Sequence, residues 1–265
     1  MVLPFDAGAA AAYDGLTGRW AGLFVDAALD VVAPSRARWI LDVAAGTGDA
    51  AVLAATRFRA EHVVAADISL PMLRGAVGKV GTAPVTLVAA DVVQLPFRAG
   101  AFDGALCLFG LMFFAEPIVA LREIARVLSA GATLACLVWS EPDRAPWGGI
   151  MATALAAEAP HEAAELLRPY AMSDPGALRA SVEAAGLTNV RASTLRRQGT
   201  FASIDSYFEP FERGGGRLGQ FYLNLAPAAR DRVNDDVRAR LARYVRDGRI
   251  VMDVDAILVT ACAPP

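Results

Sequence analysis

Acids and glycines fall at three regular places in the first half of this chain, each where a short apolar run gives out. The first is Leu41-Asp42-Val43-Ala44-Ala45-Gly46-Thr47-Gly48-Asp49; Asp67 closes a second run, His62–Ala66, and Asp91 a third, Val85–Ala90. Glycines at 46 and 48 let the backbone turn tightly and let a ligand approach its N–H groups. Taken alone, Gly46-x-Gly48-x-x-Ala51 with an acid at Asp67 also suits a nicotinamide dinucleotide. Asp42 and Asp49 weigh against that reading, because a pyrophosphate would meet like charge in a low-dielectric crevice. An ammonium or sulfonium would be attracted there instead. Asp67 can accept from ribose hydroxyls, a role shared by both ligand types. Helix capping is the competing account of any one strand-end acid, but three at one sheet edge favour a cationic ligand.

The elements that must carry these residues follow from the apolar pattern. From Arg38 to Trp139, apolar runs at 39–44, 62–67, 85–91, 102–110 and 132–139 alternate with helical patterns at 49–57, 70–79 and 117–128. Val85–Ala90 and Thr133–Trp139 are apolar nearly throughout, as parallel strands covered by helices on both faces are. The expectation is an α/β fold: a doubly wound, mainly parallel seven-stranded sheet with an N-terminal helical segment and a helical cap. One domain, 1–265, is expected: a helical lead-in at 1–36, a core at 37–140, cap elements and a late strand at 141–250, and a last strand at 250–265. Residues 7–33 read as an Ala-rich helix ended by Pro34, and Asp174, Pro175 and Gly186 as the cap, first turn and stop of another. Late strands are placed near 188–197 and 250–262 and a charged helix at 227–247; residues 201–222 hold Phe201, Tyr207, Phe208, Phe211, Phe221 and Tyr222.

The segments LDVAAGTGD, AADISLPML, VAADVVQLPF, FDGALCLFGLMFF, ALREIARVLSAGATLACLVW and SDPGALRASVEAAGL together resemble class I methyltransferases dependent on S-adenosylmethionine (SAM), in particular the ubiquinone/menaquinone-biosynthesis-like small-molecule group. The resemblance implies a Rossmann-like methyltransferase fold with SAM as cofactor and S-adenosylhomocysteine as product. It assigns the methionine part of SAM to the loop of Asp42, Ala44, Ala45, Gly46, Thr47 and Gly48. The ribose goes to Asp67, the adenine face to Ile68 and Met72, the adenine edge to Asp91 and Val92, and the wall beside the sulfonium to Phe109. Two positions depart from the pattern: Ala44 stands where many members carry glycine, and Ser129-Ala130-Gly131-Ala132 replaces Pro-Gly-Gly. The first adds a methyl and the second alters a turn.

Transfer from an activated methyl donor asks the protein mainly to align the nucleophile and exclude water. A base is optional; His161 is the candidate near neutral pH, against the alternative of an exposed histidine in a first helical turn. Tyr13, Trp20, Phe113, Trp147 and Tyr207 are the candidate substrate-binding residues, aromatic walls suited to an apolar acceptor, with ordinary cap packing as the competing account. Tyr13 or Arg19 is a candidate contact to the SAM carboxylate. The implied activity is methylation of oxygen or carbon on a small, largely apolar metabolite of quinone-like or secondary metabolism. A cyclase or pericyclase that binds SAM without transfer is the alternative.

Composition narrows the field further. The 265 residues are 55% hydrophobic, yet the longest runs free of charge, at 127–140, 104–115 and 145–157, are shorter than the roughly 18 residues a spanning helix needs. The start carries no secretory signal pattern, so a cytoplasmic location is expected. A net charge of −3 without a basic run disfavours nucleic acid and points to small-molecule partners, with a homodimer through the Ala-rich first helix open. Cys107, Cys136 and Cys262, distant in the chain, read as reduced thiols; with His62 and His161 the only histidines, no metal is expected. Lys79 is the single lysine, a sign of coding bias rather than mechanism.

Overall fold

The computed structural model describes residues 13–32 and 38–265. The expected start of the lead-in helix before Tyr13 and its stop at Pro34 lie outside them. The described residues form one sheet of eight strands: β1 (Trp39–Val43), β2 (His62–Asp67), β3 (Val85–Ala89), β4 (Phe102–Leu108), β5 (Leu128–Trp139), β6 (Thr188–Phe201), β7 (Val245–Arg246) and β8 (Arg249–Cys262). Their order is β3-β2-β1-β4-β5-β8-β6, with the two-residue β7 paired to β8. The first five strands are mutually parallel, and β8 runs antiparallel between β5 and β6. This is the doubly wound, mainly parallel sheet expected from the apolar rhythm, with seven principal strands. Chain order reverses around β1, which lies between β2 and β4, and the crevice at such a switch point is where open α/β sheets bind ligands.

Apolarity misled about β3. It is an edge strand and none of its residues is fully buried, because an apolar run also suits a strand with one neighbour. The charged helix ends at Leu241, six residues short of the expected bound. After the short turn Ala242–Tyr244, β7 and β8 form a hairpin through Asp247 (φ 49°) and Gly248 (φ 74°), the Asp-Gly pair that a mirror-image two-residue turn demands. Strand β6 runs to Phe201, beyond the expected 197, since β8 pairs with it to that end. The Ser129–Ala132 departure sits inside β5 as an irregularity between the pairs Phe102/Leu128 and Gly104/Thr133, with Gly131 at φ 74°. Asp174 caps the helix Pro175–Ala184 by accepting from Gly176 and Ala177 N–H, and Gly186 follows at φ 88°, as the sequence suggests.

The helix Arg19–Val32 lies on the sheet with Trp20, Phe24, Ala28 and Leu29 buried. Two strand glycines make room for it: a Cβ at Gly104 would come 2.8 Å from Val32, and one at Gly199 would clash with the Trp20 ring at Cζ3. Cys107 and Cys136, distant in sequence, are register partners on β4 and β5; both are free thiols, and hydrogen bonding to Cys136 together with burial pushes the Cys107 thiol up. Among the described residues no helix is long and apolar enough to cross a membrane.

Candidate functional site

Strand β1 delivers Asp42 into the interior at the switch point, opposite Ala65 on β2 and Leu106 on β4, with 1% of its surface exposed. One carboxyl oxygen, Oδ2, has no partner among the described residues. Burial, then the nearby Asp67, push its pKa up to about 8, against a lowering contact from the Ala51 N–H. A buried acid left half satisfied is costly unless a ligand completes it.

The loop after β1 turns through three residues of left-handed backbone, Ala44 (φ 54°), Gly46 (φ 57°) and Gly48 (φ 81°). Gly46 N–H donates to Asp67 Oδ2 at 2.8 Å, and Ser69 N–H to Asp67 Oδ1 at 2.8 Å, so the second strand-end acid holds the loop and the next helix start together. Burial raises the Asp67 pKa, while these bonds oppose the rise. A Cβ at Gly46 would lie 3.4 Å from Met72 Cε, and one at Gly48 would lie 3.2 Å from Ala76 Cβ. Ala44 is a different matter from the innocuous methyl expected. As a non-glycine in the left-handed region it stores on the order of 1 kcal/mol. Its methyl also occupies the space a Cβ at Gly110 would need, 2.5 Å away. Phe109, next to Gly110, is likewise left-handed at φ 59° and buried, a conformation rare for a bulky side chain.

Lys79, given no mechanistic weight by sequence, proves central to this loop. Its Nζ lies 2.7 Å from Asp14 Oδ2, 2.7 Å from Asp49 Oδ2 and 2.9 Å from Thr47 Oγ1, while Thr47 Oγ1 donates to Asp14 Oδ1 at 2.5 Å. The electrostatic case made for Asp49 is thereby corrected: it shares the Lys79 ammonium with Asp14, so it is not an unpaired charge, although two acids on one ammonium leave the cluster one net negative charge. Thr47 is buried and its hydroxyl is committed to the same cluster. Asp14 belongs to the π-helical turn Asp14–Gly18 that leads into the first helix, and Tyr13 just before it reaches to about van der Waals range of Gly46. Burial, then Asp67, Asp49, Asp14 and Asp42, hold the Tyr13 phenol well above its usual range, so it stays a hydrogen-bond donor. The cue for this cluster was one lysine among many arginines, at the end of a helix facing an acid-rich loop.

The remaining expected residues separate into groups. Asp91 is exposed and caps the turn Val92–Gln94 through Val93 N–H at 3.1 Å, with Val92 half-buried. Met72 is buried against the loop and Ile68 is 49% exposed. Phe109 stacks on Trp139 at 4.0 Å between centroids; Trp139 meets Trp147 edge-on at 5.0 Å, and Trp147 lies parallel to Trp20 at 6.1 Å. Trp20 continues to Phe201, and Phe201 to Tyr207. Trp20, Trp147 and Tyr207 thus share one aromatic wall that starts beside the loop. Phe113 is 38% exposed on a short turn whose carbonyl accepts from Arg168 Nη2, and His161 is exposed on the turn Pro160–Glu162. Arg19 donates to the Thr200 carbonyl and packs over Trp20 and Phe201, so its guanidinium is already engaged.

Residues 41–136 match the family described as methyltransferase domain. Demethylmenaquinone methyltransferase of Thermus thermophilus is 40% identical over 132 residues, covering 49% of this chain and 58% of that protein. The ubiquinone/menaquinone biosynthesis C-methyltransferase of Syntrophotalea carbinolica is 40% identical over 118 residues, 44% of this chain and 50% of that one. The chain therefore spans about half the length of the curated relatives it matches. Among solved structures, phosphoethanolamine N-methyltransferase 2 of Haemonchus contortus in complex with SAM superposes with a TM-score of 0.61 at 18% identity, covering 100% of this chain and 61% of that one. The last of these is a likeness of fold.

Proposed function

We propose that this chain, which carries a class I methyltransferase domain over residues 41–136 similar to that of the quinone-biosynthesis group, binds SAM and transfers its methyl group to a small, largely apolar, quinone-like metabolite. The observation that carries the proposal is Asp42: a buried carboxyl, one oxygen unpartnered among the described residues, beneath a loop that turns through the left-handed Gly46 and Gly48 with Met72 and Ala76 packed where their side chains would be. These residues fit a ligand that brings positive charge. When bound, SAM supplies an activated methyl group. Asp42 and the 44–48 loop would hold its methionine part, Asp67 the ribose through lone pairs left beside its two backbone bonds, Ile68 and Met72 the adenine face, and Asp91 with Val92 the adenine edge. Phe109 and Trp139 wall the crevice and exclude water, so positioning does most of the work. No proton-transfer role is given to His161. We also read residues 1–265 as one domain, with the helices between residues 141 and 250 as a cap over the crevice.

The test is calorimetry with SAM, S-adenosylhomocysteine and NAD, followed by turnover on candidate quinols with detection of S-adenosylhomocysteine. SAM binding without NAD binding supports the reading. Product formed without release of the homocysteine nucleoside would refute methyl transfer in favour of a SAM-bound cyclase.

A further inference from the structure

Two indole N–H groups in the aromatic wall have no acceptor among the described residues. Trp20 is 1% exposed and Trp147 5% exposed, and neither Nε1 has a hydrogen-bond partner among the described residues. Buried tryptophan N–H groups ordinarily find an acceptor, and an orphaned donor carries the full cost of its lost hydration. Both orphans sit on the same ring pair, nearly parallel with an interplanar angle of 14°. They come from separate elements, the helix Arg19–Val32 and the helix Pro146–Glu158. Around them stand Phe24, Trp139 and Phe201, which offer no acceptor of their own from their side chains.

From this pairing we infer that Trp20 and Trp147 are the specificity-determining donors of the acceptor site, and that its ligand is a flat aromatic molecule bearing oxygen hydrogen-bond acceptors. Indole N–H is a donor only, so the ligand must present carbonyl, phenolate or ether oxygen rather than N–H. The surrounding rings suit a planar apolar body. Through Trp139 and Phe109 the pair connects to the loop over Asp42, which places the oxygen-reading end two rings from the cofactor loop. The inference rests on the methyl-transfer reading for its location and goes beyond it in naming the atoms that choose the substrate.

The chain has four tryptophans, so ¹⁵N-labelled protein gives four indole resonances. With saturating S-adenosylhomocysteine, 2-hydroxy-1,4-naphthoquinone is titrated as probe and naphthalene as its oxygen-free control. Two indole signals are expected to move downfield with the quinone, and these are the signals missing from Trp20→Phe and Trp147→Phe. Each variant is expected to bind the quinone up to about tenfold more weakly, with naphthalene binding unchanged. If the indole signals stay fixed in the parent protein, or the variants lose both probes equally, the inference fails; the first outcome needs no variant to fold. Failure of S-adenosylhomocysteine to bind in a separate titration would instead overturn the methyl-transfer reading.

Discussion

Asp42 is the group whose charge depends most on what fills the crevice, which makes proton release the sharpest measurement. In the free protein its pKa is about 8, so below that pH a ligand that needs the carboxylate must first displace a proton. At about 1.4 kcal/mol per pH unit, this displacement costs roughly 2.7 kcal/mol at pH 6 and 1.4 kcal/mol at pH 7. SAM affinity is therefore expected to rise about tenfold per unit from pH 5 to pH 7, below the range in which an α-amino group itself titrates. Titration calorimetry at pH 6, repeated in buffers of unlike ionisation enthalpy, should give about one proton released per SAM bound. Asp42→Asn has no proton to lose, so its affinity is flat with pH. It forgoes a charge-assisted contact of roughly 1.5–3 kcal/mol. The two affinity curves then cross between about pH 6 and 7, with the variant the better binder at pH 5. The same shift acts on the fold without ligand. An acid whose folded pKa lies above its unfolded value favours the protonated fold, so stability declines as pH rises from about 4 to about 8. That slope is absent in Asp42→Asn. A parent protein with flat SAM affinity from pH 5 to 7 and no proton release would refute the placement of charge at this site.

Other consequences can be checked by unfolding and proteolysis. Gly110→Ala should cost about 2 kcal/mol in urea unfolding by driving a methyl into Ala44; Ala44→Gly in the same chain should recover at least half, a coupling that independent sites would not give. Lys79→Met should raise proteolytic cleavage near residues 13–18 with a stability loss of about 1 kcal/mol, since the cluster is partly exposed, and Lys79→Arg should restore it incompletely because a planar fork does not replace a point ammonium among three oxygens. Asp255 lies buried between Arg144 and Arg196, and the Arg196 hydrogen bond, then that of Arg144, hold its pKa below the usual carboxylate value. Its contribution is complete above about pH 4 and lost as pH falls further, so Asp255→Asn should lower the melting temperature at pH 7 by several degrees and flatten the acid limb of the stability curve.

What the sequence discloses and what it hides divide along the range of the interactions concerned. The strand-end acids, the glycine loop and the Asp174 cap are local features, each readable within a few residues, and the sheet they imply is the one present. Edge position is not local: Val85–Ala89 reads like an interior strand because only the strand order leaves it with a single neighbour. Nor is pairing. Asp49 reads as free charge until Lys79, thirty residues on, is brought against it by the packing of two neighbouring helices. The same step makes Asp14 an anchor for the start of the first helix. Ala44 and Gly110 make the point most clearly. The alanine looks like a mild departure from a glycine pattern, and the glycine like the ordinary end of a strand. In space the methyl at one position is tolerated because the other has none, so a difference in the glycine loop after β1 has its compensation just past the end of β4. A loop assembled from three strand ends therefore cannot be judged from any one of them, and a substitution at Ala44 has to be weighed together with Gly110.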